Sequence, residues 1–306
     1  MQKKKSWISL KDYLKRLMQE PICFFNGKFL PKSQVHLSID DLGFSRGYAL
    51  FEHCRTYARK IFHLKEHLIR LYEGGLALNL PIPYTEKEWI DICEELVKLN
   101  DYEEVGIKIY VTLGSASTGY LPSTPPTVIC NPYPLKRTNF SDPFLCYSIK
   151  TTTLQRSFPF CKTTFYIPGI LARSKMEDCD EILFLDAYNN VLESTIFSFL
   201  AFKGSTLIVP EGNLLKSITQ EVLVMLAKQD FDVERRPISY LELSTLTAPF
   251  LAASSKEIVP IGSIDRWTYS PENHKPLFHL RALLDQYVQK SQWPLLEAFD
   301  QKIYAV

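Results

Sequence analysis

Apolar residues recur along the chain with two periods, and the switches between them mark the elements. Ile8, Leu10, Leu14, Leu17 and Met18 share one side of a predicted helix in a basic N-terminal stretch. Phe24-Phe25 and Phe29-Leu30 flank Asn26-Gly27, the pair favoured in a two-residue type I′ turn, so a hairpin is predicted. Alternation over 34–39 predicts another strand, and Gly43 and Gly47 bracket a predicted loop over 41–48. Strands are predicted over 50–57 and 61–64, then a helix over 65–78 with Leu68, Leu71 and Tyr72 on one face. Thr85 and Glu88 form a capping-box pair ahead of Trp89, Ile92, Cys93, Leu96 and Val97, a second helix. A strand over 105–113, a loop rich in Ser, Thr, Gly and Pro, and a short strand over 127–131 follow.

The stretch 132–143 is polar and carries three prolines, which predicts a domain boundary. Beyond it come a strand over 144–151, a helix primed by Pro168 and running toward Glu177, and hairpins over 182–192 and 197–209. Ser217 starts a helix with Ile218, Val222, Met225 and Leu226 on one face. A strand over 233–238, a helical turn over 241–246 and a helix over 277–288 close the chain. Strands and helices interleave, so the class is α/β (α+β). The expected domains are a helical extension over 1–21, a smaller α/β domain over 22–135, and a larger domain over 136–306 with a helical tail.

Composition narrows the function classes. With 306 residues, 46% apolar, the chain can bury a sizeable core, which excludes a disordered protein. A net charge of +1 removes the electrostatic case for nucleic acid. The seven cysteines are scattered with no Cys-x-x-Cys pair, so neither a zinc ribbon nor a disulfide framework is predicted; a reducing, cytoplasmic setting is expected. No apolar run approaches a membrane span. His63 and His67 have the spacing of helical metal ligands, but no third ligand is evident and no metal is expected.

Candidate chemistry centres on residues 158–193. Lys162 sits among Phe158, Phe160, Phe165 and Tyr166. A lysine taken out of water loses its proton more easily, and the neutral amine can form a Schiff base with a carbonyl. Glu193 could pair with the ring nitrogen of a pyridoxal cofactor. For Lys162 alone the plainer alternative is an ordinary lysine at a strand end. A phosphorylated cofactor also needs donors. Ser217-Ile218-Thr219 opens a helix, where free N–H groups and the dipole favour an anion, although Ser217 could be simply an N-cap. Ser254-Ser255 offers hydroxyls, and Arg55 could grip an anion or serve in an ion pair.

Taken in order, these segments resemble the class IV pyridoxal-phosphate aminotransferases, which include branched-chain aminotransferases, D-amino acid transaminases and aminodeoxychorismate lyases. The resemblance runs from Cys23 to Asp265. Phe51-Glu52-His53-Cys54-Arg55 is similar to the family's Phe-Glu-x-x-Arg, and His67-Leu68-Ile69-Arg70-Leu71 to its His-x-x-Arg-Leu. Lys162 falls at the Schiff-base lysine and Tyr166 at a tyrosine near the cofactor's phenolic oxygen. The run from Asp180 to Asp186 resembles the strand before the family's glutamate, here Glu193. Leu215-Lys216-Ser217-Ile218-Thr219 resembles Leu-Pro-Gly-Ile-Thr, and Ser254 falls at a phosphate-binding threonine. Departures lie at 194–198 and at Lys216-Ser217.

The resemblance implies the two-domain fold type IV, a homodimer, and pyridoxal 5′-phosphate held by Arg55, Lys162, Tyr166, Glu193, Ser217, Ile218, Thr219 and Ser254. It implies transamination between an amino acid and a 2-oxo acid, with Lys162 as the catalytic group. For substrate, Lys108 lies near an arginine of branched-chain enzymes, and Thr118 and Tyr120 lie in the loop that selects substrate in relatives. That loop lacks the Arg and His of D-amino acid transaminases, and Thr118 stands where lyases carry an arginine. A branched-chain-like L-amino acid is the first expectation. Lyase-type elimination is the second and D-amino acid transamination the third; a non-catalytic member ranks last.

Overall fold

The computed structural model describes residues 20–137, 146–176, 178–290 and 292–300. The helix expected over 1–21 lies almost wholly outside them, as do Phe144 and Glu177. Two sheets organise the rest. The first is built from β1 (Ile22–Phe25), β2 (Lys28–Pro31), β3 (Ala49–Tyr57), β4 (Lys60–Ile61), β5 (Val105–Thr112) and β6 (Val128–Pro134), in the order β2-β1-β6-β5-β3-β4. Asn26 and Gly27 both have positive φ, as the type I′ turn between β1 and β2 requires. Helices α2 (Leu64–Ala77) and α3 (Glu86–Leu99) follow α1 (Leu42–Arg46) and bury Leu68, Leu71, Trp89 and Leu96 with β5 residues such as Ile107 and Ile109. The Thr85–Glu88 capping box is present.

The second sheet comprises β7 (Tyr147–Thr152), β8 (Glu181–Leu185), β9 (Val191–Ser194), β10 (Ser198–Lys203), β11 (Thr206–Pro210), β12 (Asp232–Arg236), β13 (Ala248–Ala253), β14 (Glu257–Ile264) and β15 (Trp267–Thr268). Its order is β12-β11-β10-β13-β14-β7-β8-β9, with β15 on β14. Helix α4 (Ile167–Ser174) packs on β8, while α5 (Ile218–Ala227) and α6 (Lys275–Tyr287) cover the face that carries Leu200, Phe202 and Phe250.

The strand expected over 61–64 is shorter, ending with β4 at Ile61 before α2 starts at Leu64, and two further predicted elements differ in kind. Residues 34–39 form no strand: a short 3-10 turn over Lys32–Gln34 is followed by irregular chain, with Ile39 78% exposed. Alternation there has no partner strand to complete a ladder. The stretch read as a loop contains α1, started by the Asp41 carboxylate accepting from Gly43 N (2.7 Å) and ended by Gly47 at φ 68°. Gly43 serves packing rather than a turn, since a Cβ would lie 2.5 Å from Thr112.

Strand β3 has two differently used faces. Leu50 and Cys54 enter the core beneath α2, and Glu52 lies between them, fully buried. Arg70 of α2 grips Glu52 with two bonds (2.7 and 2.6 Å), and His67 Nδ1 lies 2.7 Å from the same carboxylate. Burial alone would raise the Glu52 pKa, but the Arg70 and His67 contacts outweigh it and hold the carboxyl far below its ordinary range. Replacing Glu52→Gln leaves a buried guanidinium without its counter-charge and is expected to cost about 3–5 kcal/mol in denaturant unfolding. A loss under about 1 kcal/mol, the scale of an exposed pair, would contradict this arrangement. With the folded pKa depressed, the wild-type contribution persists above the carboxylate range and disappears only as strong acid titrates folded Glu52.

Candidate active site

The opposite face of β3 carries Phe51 and His53 into a cavity of about 550 Å³ lined by both sheets. Lys162 reaches it because its own segment is pinned to β3. Phe51 N donates to the Lys162 carbonyl (2.9 Å), Thr164 N donates to the Ala49 carbonyl (3.0 Å), and Leu50 pairs with Thr163. The Lys162 ammonium sits 4.6 Å from the Phe51 ring centre. Burial, then the Arg70 guanidinium, lowers its pKa to about 8.

Glu193, on β9, lines the same cavity and is buried. Its Oε1 accepts from Arg156 Nη1 and from Leu215 N (3.4 Å). Burial raises its pKa, and Arg156 opposes that shift. Tyr166 caps the start of α4 with its ring 5.9 Å from Phe51; burial raises its pKa.

Another part of the lining is rich in donors. Ser217 is the N-cap of α5, accepting from Gln220 N (3.3 Å), so the plainer role is real, yet Ser217 also lines the cavity. Ile218 and Thr219 occupy the first helical positions, whose N–H groups have no acceptor within the helix. Thr219 Oγ1 lies 3.3 Å from Ser254 Oγ. Arg55 stands one contact back. It donates to the Ser254 carbonyl (3.1 Å), pairs with Glu257 (3.1 Å) and lies over the Tyr57 ring. Its Nη2 is buried without an acceptor.

The structure thus brings Lys162, Tyr166, Glu193, Ser217, Ile218, Thr219, Ser254 and Lys108 to one cavity, with Arg55 directly behind Ser254. It does not bring Thr118 and Tyr120 there. Gly114, at φ 85°, turns the loop outward, and Tyr120 is 76% exposed. His63 pairs with Glu66 and His67 with Glu52, and no metal-binding group of acidic, His and Cys residues exists among the described residues. Sequence reasoning missed Arg156, His53 and Tyr133 as lining residues. Strand parity carried a signal for His53, two residues from both Phe51 and Arg55. Arg156 lies outside any periodic element and gave none.

Pyridoxal 5′-phosphate finds what it requires among these groups. A half-buried lysine with a lowered pKa faces the cavity, and so does a buried carboxylate whose recorded bonds fall on one oxygen. An orphaned arginine donor stands behind two hydroxyls and a helix N-terminus. The model of the family described as amino-transferase class IV matches residues 49–264. A putative branched-chain-amino-acid aminotransferase of Methanocaldococcus jannaschii is 30% identical over 251 residues, 79% of this chain and 87% of that protein. An aminodeoxychorismate lyase of Bacillus subtilis is 25% identical over 272 residues, covering 85% and 92%. The fold matches a T.th. branched-chain amino acid aminotransferase, solved with pyridoxamine 5′-phosphate, at a TM-score of 0.80 with 22% identity over 88% of this chain and 94% of that one. The match across most of the chain and the groups gathered round Lys162 make one case: this chain belongs to the class IV aminotransferases, a pyridoxal-phosphate enzyme family of fold type IV.

Proposed function

We propose that the chain moves an amino group between an amino acid and a 2-oxo acid, with L-amino acids of the branched-chain type as donors. The observation that carries the reading is Lys162 and Glu193 sharing one cavity with the donor-rich start of α5. Apolar lining by Phe51, Tyr110, Ile196 and Phe197 supports an apolar donor side chain. When bound, the cofactor supplies an aldehyde that condenses with amines and a ring that takes up electrons. Ile218 and Thr219 N–H groups, with the Thr219 and Ser254 hydroxyls, would hold its phosphate, and Arg55 would add charge from behind Ser254. Glu193 would keep the ring nitrogen protonated, while Arg156 and Leu215 N fix the orientation of that carboxylate. Tyr166, which lines the cavity, would donate to the phenolic oxygen. Lys162 would hold the cofactor through its amine, and the same amine would take the proton from the donor's reacting carbon as a base and return it as an acid.

The same reading includes a homodimer. Phe158, Phe160, Ile167 and Ile170, in the segments flanking Lys162, are more than half exposed, as are Tyr120 and Leu121. A second copy covers them and gives Thr118 and Tyr120 a place beside its own cavity. Elimination is the second reading, supported by the match to the Bacillus subtilis lyase.

Supplied with L-valine and 2-oxoglutarate, the protein should form glutamate; with the donor alone it should stop after one equivalent. Lys162→Ala should lower the rate by roughly 10³-fold or more. Sustained pyruvate release from aminodeoxychorismate, without any acceptor, selects the lyase instead. Cofactor-free protein should show Lys162 acylation rising as pH passes through about 8, because deprotonation exposes the amine. Peptide mapping reads this, and a midpoint near the ordinary lysine value of about 10.4 contradicts the assigned environment.

A further inference from the structure

The turn between β13 and β14 serves two sides. Ser254 lines the cavity, and Glu257, three residues on, is buried at the start of β14. Its φ of 62° is sparsely used by residues other than glycine, so its contacts must offset a backbone cost. Those contacts are charged. Glu257 Oε2 lies 2.8 Å from Arg281 Nη2 of α6 and accepts from Nη2 of Arg137, in the segment after β6 (3.2 Å). Its Oε1 accepts from Arg137 Nε (2.9 Å) and the Tyr57 hydroxyl (2.7 Å), and lies 3.1 Å from Arg55 Nη1. Asp285, one helical turn from Arg281, accepts from Arg281 Nε (2.9 Å) and Arg137 Nη2 (2.6 Å). Arg281 and Asp285 lie beyond residue 264, where the family match ends.

The cluster is unbalanced in charge. Three guanidinium groups meet two carboxylates, and Asp285 is exposed, so water screens it. Burial would raise the Glu257 pKa, but the Arg55 charge, then that of Arg281, holds it below the ordinary carboxylate range, so Glu257 is ionised. One buried carboxylate cannot neutralise three guanidinium groups. If Glu257 served Arg55 alone, that pair would be complete and would offer little to an anion. Arg281 and Arg137 draw on the same two oxygens. Arg55 is left with its Nη1 shared between Glu257 and the Ser254 carbonyl, and its Nη2 buried without an acceptor.

We propose that Arg281 and Arg137 are positioning residues for the cofactor phosphate: by sharing Glu257 they keep Arg55 incompletely neutralised, and α6 thereby sets how tightly the phosphate is held. This rests on the reading of Arg55 as the charge behind the phosphate, and names what keeps that charge available.

The full chain, freed of cofactor, is titrated with pyridoxal 5′-phosphate and separately with pyridoxal, with visible absorbance as the readout. The ratio of the pyridoxal to the pyridoxal 5′-phosphate dissociation constant measures what the phosphate contributes. Arg281→Gln, like Arg137→Gln, lets Glu257 settle on Arg55 and should lower that ratio roughly tenfold, with pyridoxal binding unchanged. Arg281→Lys keeps the charge and should restore most of it. Asp285→Asn turns both outer guanidinium groups fully toward Glu257 and should raise the ratio. These opposite signs separate charge from packing, because a merely structural α6 would lose affinity for both ligands in every variant. Arg55→Gln is the reference. If it leaves the ratio unchanged, the reading of Arg55 fails and this proposal with it. If it lowers the ratio while Arg281→Gln does not, or if Asp285→Asn lowers it as Arg281→Gln does, the proposal alone is overturned.

Discussion

The Glu52 carboxylate, sealed between a sheet and a helix, is the constraint on which the site depends. An ionised group with no water must find its counter-charge in the protein, and Arg70 and His67 supply it. That pairing fixes α2 on β3. Arg70 then has one guanidinium nitrogen to spend elsewhere, and Nη1 donates to the Lys216 carbonyl (2.7 Å), just before the N-cap of α5. One ion pair thereby ties the strand that pins Lys162 to the loop that delivers Ser217, Ile218 and Thr219. The same guanidinium adds to burial in lowering the Lys162 pKa. Structure and reactivity are joined through a single arginine.

The faces of β3 show how a short sequence serves both purposes. Alternation puts Leu50, Glu52 and Cys54 beneath the helix and Phe51 and His53 in the cavity. The core face holds a charge and the cavity face carries aromatic rings, the reverse of a half-exposed strand. Phe51 is the hinge of the arrangement: its N–H holds the Lys162 carbonyl and its ring lies beneath the Lys162 ammonium.

Much of this was legible in the sequence where the cause is local. The Asn26-Gly27 turn, the Thr85–Glu88 cap and the helix behind Ser217 each depend on neighbours a few residues apart. The order of short motifs around Arg55, Lys162 and Glu193 was enough to place the chain in its family. What depends on long-range register was not legible. Tyr133 reaches His53 only because Gly106 lies opposite it, and Arg156 reaches Glu193 from an irregular segment. Two local readings failed for related reasons. Alternation over 34–39 lacks a partner strand, and Gly43 is required by the nearness of Thr112 rather than by a turn.

The central claim is that Lys162 is the amine that holds the cofactor. Reduction of the cofactor-loaded protein with borohydride, followed by proteolysis and mass mapping, tests it most directly. The account predicts bleaching of the visible absorbance and a phosphopyridoxyl group on the peptide containing Lys162. The group on any other lysine, or a visible band that survives borohydride, would contradict it.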